Sequence, residues 1–380
     1  MTRTAALRVA IFIVLLGVPD GAIGVLWPSL GSAFHRPLGD LGVLVIVMTA
    51  LYVAGGIVFS RLSHRVRVAT VIRASCVLSV ASTAGWLAAP TWLALLAAVA
   101  LFGLARGVVD SAVNAASAGR IRELGWLHAG WAVGGTLGPL LVAATVDGSQ
   151  WRGAVAVITA LSAVVTVGAL VVSEPTAAND GPDARPQSAA AAPLLVTVTV
   201  AGVFAAYTAA ETGPVAWGYV YLVEHRHLHT TAAAVGIAGL WLALVAGRVA
   251  LGAVGHRVEE KTLLARCCAL LVAALVALWL APTAIALVAL PLIGLASAPV
   301  FPLLINRMPA LVGAAGTARA VGVAVAAGAV GGPVAVLVEG RVADAFGVSA
   351  IAPCLVVAAL LFSASCLGLR RSRQACSPCT

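Results

Sequence analysis

Twelve stretches of this 380-residue chain are apolar over the length a bilayer demands: about 7–33, 39–60, 68–89, 92–118, 124–146, 153–173, 194–223, 232–255, 262–281, 283–306, 312–338 and 347–369. A spanning helix needs roughly 20 mostly apolar residues at about 1.5 Å rise each. Hydrocarbon offers the backbone no hydrogen-bond partners, so a crossing segment must satisfy its own ladder. With 61% apolar and 10% charged residues, the chain has too little polar surface to coat a water-soluble globule. The expected fold is an all-α polytopic membrane protein with twelve transmembrane helices.

The net charge of +9 fits the positive-inside rule and calls for no nucleic-acid partner. With the N-terminus inside, seventeen of the 23 Lys and Arg residues fall on cytoplasmic segments. Arg36, Arg152, Arg226 and Arg341 fall outside, while Arg106 and Arg248 lie within spans. The expectation is a multi-pass protein of the cell membrane with both termini cytoplasmic. The first apolar run contains Pro19-Asp20 and is too long for a signal peptide, so it reads as an uncleaved helix. Cys76, Cys267, Cys268, Cys354 and Cys366 sit in or at the ends of spans as small apolar fillers, with no disulfide framework. Cys376 and Cys379 have C-x-x-C spacing without a second ligand pair.

One long polar stretch, 174–192, rich in Pro and Ala, divides the spans six and six. It reads as a flexible cytoplasmic linker between a bundle at 1–173 and a second at 193–380, which ends in a short tail. The halves echo each other. His64-Arg65-Val66 and His256-Arg257-Val258 are 192 residues apart, and nearly the same offset relates Gly103 to Gly294, Asn114 to Asn306, and Gly138-Pro139 to Gly332-Pro333. Parallel six-helix repeats of this kind place a solute site near the bilayer midplane.

Three carboxylates, Asp20, Asp110 and Glu211, lie deep in apolar spans. A charge at the bilayer centre costs on the order of 2.5–3.5 kcal/mol even on lenient scales, so such groups pair, face a cavity, or carry protons. Arg106, Asp110, Asn114 and Ser117 share one face of the fourth span, an inward polar stripe. Asp110 is either a protonatable coupling group or half of a neutralising pair in which Arg106 joins it or Asp20. Asp20 is either a coupling group or an anchor for an irregular helix at Pro19. Glu211 precedes Gly213-Pro214, an expected break in the seventh span, and is open to a binding or a structural role. His128 is suited to relaying protons or to an interhelical hydrogen bond. Trp131 and Trp217, each near polar candidates, are suited to stacking on a solute or to packing. His225, His227 and His229 alternate in a polar loop without a carboxylate shell, so no metal site is expected. Gly130, Gly134 and Gly138 recur every fourth residue, which favours tight helix packing.

The chain resembles the major facilitator superfamily over nearly all its length. Ser60-Arg61-Leu62-Ser63-His64-Arg65-Val66-Arg67 is similar to that superfamily's G-x-L-a-D-r-x-G loop, with His64 in place of the acid and both glycines absent. The resemblance implies a cytoplasmic gating role for Arg61, His64, Arg65, His256 and Arg257. Within the superfamily, Gly17-Val18-Pro19-Asp20-Gly21-Ala22 and Gly107-Val108-Val109-Asp110-Ser111-Ala112 resemble the fucose-permease-like branch of sugar/proton symporters. Leu127-His128-Ala129-Gly130-Trp131 and Ala298-Pro299-Val300-Phe301-Pro302 do so as well. That likeness implies the major facilitator fold and proton coupling at Asp20 and Asp110. The residues themselves make Arg106 the expected modulator of these acids and Asn114, Glu211, Trp217, Trp131 and His128 the candidate solute contacts.

No nucleotide-cradling loop, zinc motif or nucleophile elbow is present in the sequence. The expectation is a non-enzymatic, cofactor-free, proton-coupled secondary transporter of a small, sugar-like solute, functional as a monomer in the lipid bilayer. Two alternatives are a proton-driven exporter of drug-like or amphipathic molecules, suggested by a helix-5 glycine pattern like that of drug antiporters, and a non-transporting solute sensor.

Overall fold

The computed structural model describes residues 3–62, 65–66, 68–116, 121–146, 151–171, 194–254 and 258–375. The proposed linker 174–192, Ser117, His64, His256, Arg257 and the Cys376/Cys379 pair lie outside the described residues, as does the side chain of His128. The chain divides into two compact units, Met1–Pro182 and Asp183–Thr380.

In the first unit the helices are α1 (Arg3–Ala33), α2 (Asp40–Leu62), α3 (Val68–Ala88), α4 (Trp92–Ala116), α5 (Ile121–Thr145) and α6 (Trp151–Val171). The second unit contains α7 (Leu194–Val220), α8 (Thr230–Val254), α9 (Glu260–Leu280), α10 (Thr283–Ser297), α11 (Val300–Asn306), α12 (Met308–Phe346) and α13 (Ile351–Ala375). No strand occurs among the described residues. Among the described residues, ten helical segments have the length and hydropathy to cross a membrane, and Ala129–Thr145 and Trp151–Val167 are shorter apolar helices.

Three departures from the expected spans have local causes. The span at 283–306 is two helices, because Ala298-Pro299 interrupts the ladder between α10 and α11. The eleventh span extends to Phe346, past its expected end at 338, and its helix is kinked at Gly313, whose φ of 73° lies in the left-handed region open to glycine. The expected break at Gly213-Pro214 does not occur. α7 runs through Pro214, and the irregularity follows as a π-helical turn at Tyr221–His225. A proline removes only one ladder bond, and flanking helices can hold such a helix together.

Within each unit the first span packs on the fifth, and the second on the fourth, α10 and α11 together counting as one span. These pairs are α1 with α5 and α2 with α4, then α7 with α12 and α8 with α10. Glycines bring the backbones together. A Cβ at Gly17 would stand 2.0 Å from the Trp131 carbonyl oxygen, and one at Gly134 would stand 1.9 Å from that of Val14. Gly103 and its repeat partner Gly294 make the same approach, 2.1 Å from the Met48 oxygen and 2.0 Å from that of Leu240. The small-residue stripe on α5 is therefore a packing device. Lipid tails are as apolar as the side chains they meet, so close contact of this kind takes the place of hydrophobic drive between helices.

The four arginines counted against the positive-inside pattern are each engaged at helix ends. Arg36 pairs with Asp40 at 2.5 Å and stacks on Trp92, and Arg341 pairs with Asp344 at 3.2 Å. Arg152 donates to the carbonyls of Leu87 and Ala89, and Arg226 to those of Leu278 and Trp279. A cation at a helix C-terminus satisfies carbonyls that have no intrahelical donor.

Gly134→Leu is expected to lower the melting temperature in detergent, by an overpacking cost of about 1–3 kcal/mol. Gly202→Leu is the control, since nothing lies within 4 Å of a Cβ there. Equal melting temperatures for the two variants would refute the tight α1–α5 contact.

Candidate functional site

The close approach of α4 to α2 sets the geometry of the first unit's polar cluster. A Cβ at Gly107 would lie 1.9 Å from the Tyr52 carbonyl oxygen, so only glycine lets the two backbones meet there. One turn along α4, the Tyr52 hydroxyl donates to Asp110 Oδ2 at 2.6 Å. On the other side, α4 and α5 hold Asp20 of α1 between two donors. Arg106 Nη1 reaches Asp20 Oδ1 at 2.6 Å, and the Trp131 indole nitrogen donates to Asp20 Oδ2 at 2.7 Å.

Arg106 is the centre of the cluster. Its guanidinium lies 5.2 Å from the Tyr52 ring centroid and 5.5 Å from that of Trp131, within the range where an aromatic face attracts a cation. Of the two pairings open to it, the ion pair is with Asp20. Asp20 is 9% exposed, with both oxygens engaged. Asp110, held by Tyr52, borders a cavity of about 180 Å³ that Arg106, Asn114 and Trp131 also line, with Ile13, Leu16, Val109 and Val113 as apolar wall. At about 30 Å³ per water, such a space holds roughly six waters or a comparable part of a small solute. The polar stripe expected on the fourth helix thus faces a cavity at Arg106, Asp110 and Asn114.

A second cluster lies in the other unit. Glu211 lies beside the Tyr207 hydroxyl and in the electrostatic field of Arg248 from α8. Tyr207 is buried, and its hydroxyl is 3.4 Å from the Ser297 carbonyl oxygen. Arg248, for which the sequence suggested no partner, therefore answers the second unit's buried acid. Trp217, expected as a solute contact or a packing residue, has a fully buried ring, and its indole donates to the Val336 carbonyl at 3.2 Å between α7 and α12. Arg61 and Arg65 are exposed at the end of α2.

The loop histidines do not converge. His225 lies against the Tyr221 ring and His229 Nδ1 accepts the Thr231 amide. No cluster of metal-ligating side chains occurs among the described residues. Two participants escaped the sequence reading. Tyr52 lies in an apolar helix with no motif to mark it. Glu339 falls one residue beyond the span expected to end at 338, and α12 buries it to 4% exposure.

The sequence matches the Major Facilitator Superfamily over residues 9–336. The chain belongs to that superfamily. This major facilitator is similar over 97% of its length to 96% of a bacterial homologue of the human lysosomal transporter Spinster, at TM-score 0.80 and 14% identity. It is similar over 96% of its length to 99% of a nucleoside transporter, at TM-score 0.76 and 12% identity. A D-xylose-proton symporter matches over 94% of this chain and 96% of its own, at TM-score 0.73 and 15% identity. These likenesses establish the shared transporter fold. No curated protein matches the sequence significantly.

Removing Arg106 leaves Asp20 buried without its cation. Arg106→Ala is expected to destabilise the protein by about 3–5 kcal/mol, the usual cost of breaking a buried pair from one side. Arg106→Ala/Asp20→Asn should recover much of that loss in thermal unfolding. A double variant no more stable than Arg106→Ala would show that the pair is not coupled.

Proposed function

We propose that this major facilitator couples the movement of a small, sugar-like solute to protons by alternating access, with Asp110 and Asp20 as the coupling acids. The observation that carries the reading is one arginine set between a buried acid, Asp20, and a half-buried one, Asp110, beside a cavity. Asp20 has two strong donors and is the settled partner of Arg106. Asp110 has a neutral hydroxyl donor and opens on the cavity, the placement a group needs if it is to exchange protons with water. With a proton on Asp110, Arg106 stays with Asp20. When Asp110 gives up that proton, its charge competes for the same guanidinium, and the cluster rearranges in step with protonation. A solute hydroxyl would meet Asp110, Asn114 and the Trp131 ring in the cavity, an apolar face combined with a few directed polar groups.

The helix-1 and helix-4 motifs resembling sugar/proton symporters support this choice, as does the fold shared with a D-xylose-proton symporter. In our reading the protein acts as a monomer in the cell membrane with both termini cytoplasmic, and the two units at 1–173 and 193–380 are its moving halves. Glu211, with Tyr207 and Arg248, would supply the second half's polar contacts. One charge moved across 100 mV supplies about 2.3 kcal/mol, enough for roughly a fifty-fold solute gradient per proton.

Proteoliposomes bearing a pH-sensitive dye test the proposal against a panel of sugars. Solute-driven proton movement should appear in the wild type and vanish in Asp110→Asn, while Asp110→Asn still exchanges labelled solute across the membrane. Asp20→Asn should lose both. Full coupling in both variants would sink the assignment. Solute accumulation only against inward proton flow would make the protein an exporter.

A further inference from the structure

The second unit holds a buried acid that the coupling site above does not use. Glu339 in α12 is 4% exposed, and its Oε2 has no hydrogen-bond partner among the described residues. Its carboxyl rests on α7 at Gly213, where a Cβ would stand 2.8 Å from both Oε1 and Oε2. The missing side chain of Gly213 is what makes room for the acid. No charged group of α7, α12 or α13 acts on it among the described residues, and the Cys354 thiol of α13 is the titratable group that feels it. Glu211, two residues before Gly213, is taken by Tyr207 and Arg248. Arg341, two residues after Glu339, pairs with Asp344.

A carboxylate buried without a cation or donors is costly enough that such groups give up their charge. The α7 backbone supplies a complement. Pro214 has no N–H, so the Ala210 carbonyl lacks its intrahelical donor one turn below, on the side of α7 that carries Gly213. A hydroxyl on Glu339 would bring a donor to the face where an acceptor is spare, whereas a carboxylate would bring only more acceptors.

We propose that Glu339 is a proton-binding site of the second unit. Its carboxyl carries a proton while α7 and α12 are packed at Gly213, and yields it to water when the helices part there. The site is independent of Asp20 and Asp110, since it concerns the occupancy of one carboxyl in the packed protein and holds whether or not those residues couple transport.

Infrared spectroscopy of the full chain in lipid nanodiscs at neutral pH reads this directly. The wild type should show a carbonyl band of a protonated carboxylic acid that is absent from Glu339→Gln, whose amide has the shape of the neutral acid. The same band should persist in Asp20→Asn/Asp110→Asn, which separates the outcome from that of the coupling proposal. Identical carboxylic-acid bands in wild type and Glu339→Gln would overturn the site. If Glu339→Gln does not fold, the wild type decides alone: a hydrophobic carbodiimide, which takes up the proton of a buried carboxylic acid and is then attacked at carbon by the carboxylate oxygen, should give a Glu339 adduct detected by mass spectrometry. Absence of that adduct would then refute the proposal.

Discussion

The polar cluster of the first unit depends on helices that touch backbone to backbone. α1 and α5 meet at Gly17, Gly21, Gly134 and Gly138, where any side chain would collide with a carbonyl of the opposite helix. The atom that Gly17 approaches is the carbonyl oxygen of Trp131, whose indole then bonds Asp20. The same device at Gly107 brings α4 to Tyr52 and so delivers the hydroxyl that holds Asp110. In lipid, where no hydrophobic drive separates helix from surroundings, dispersion and interhelical hydrogen bonds must hold the bundle. Small residues make both possible by letting short polar reaches span the gap.

Charge is distributed sparingly across this frame. One guanidinium stands between Asp20 and Asp110, near two aromatic rings and bonded to Asp20, with Asp110 open to a cavity. The second unit repeats the theme with different residues, a Tyr207–Glu211–Arg248 set drawn from α7 and α8. The helix pairings recur between the units and Glu211 keeps the repeat position of Asp20, while the cation that answers the acid has moved from α4 to α8. Backbone packing tolerates only glycine at its contacts, but a buried charge can be answered from any neighbouring helix whose side chain reaches.

That difference explains which features could be read in advance. The apolar runs marked where helices lie to within a few residues, and the repeated glycines marked where they touch, because both depend on local chemistry. The spacing of Arg106, Asp110 and Asn114 likewise announced a polar face on α4. Tyr52 carried no such mark, since its role comes from a helix 58 residues away in sequence. Gly213-Pro214 suggested a broken helix, yet it became a continuous one whose glycine accommodates Glu339. Trp217 stood near polar candidates in sequence, and packing turned it inward to Val336.

By itself, then, the sequence determined an all-helical membrane transporter built from two related halves, with acids and arginines set in its spans. The cost of bare backbone and of charge in hydrocarbon allows little else. Only the tertiary structure decided that Arg106 serves Asp20, that Asp110 answers to Tyr52 beside a cavity, and that Glu339 is sealed against α7. Partner choice for a buried charge is a matter of a few ångströms between helices distant in sequence, and that distance is set by packing.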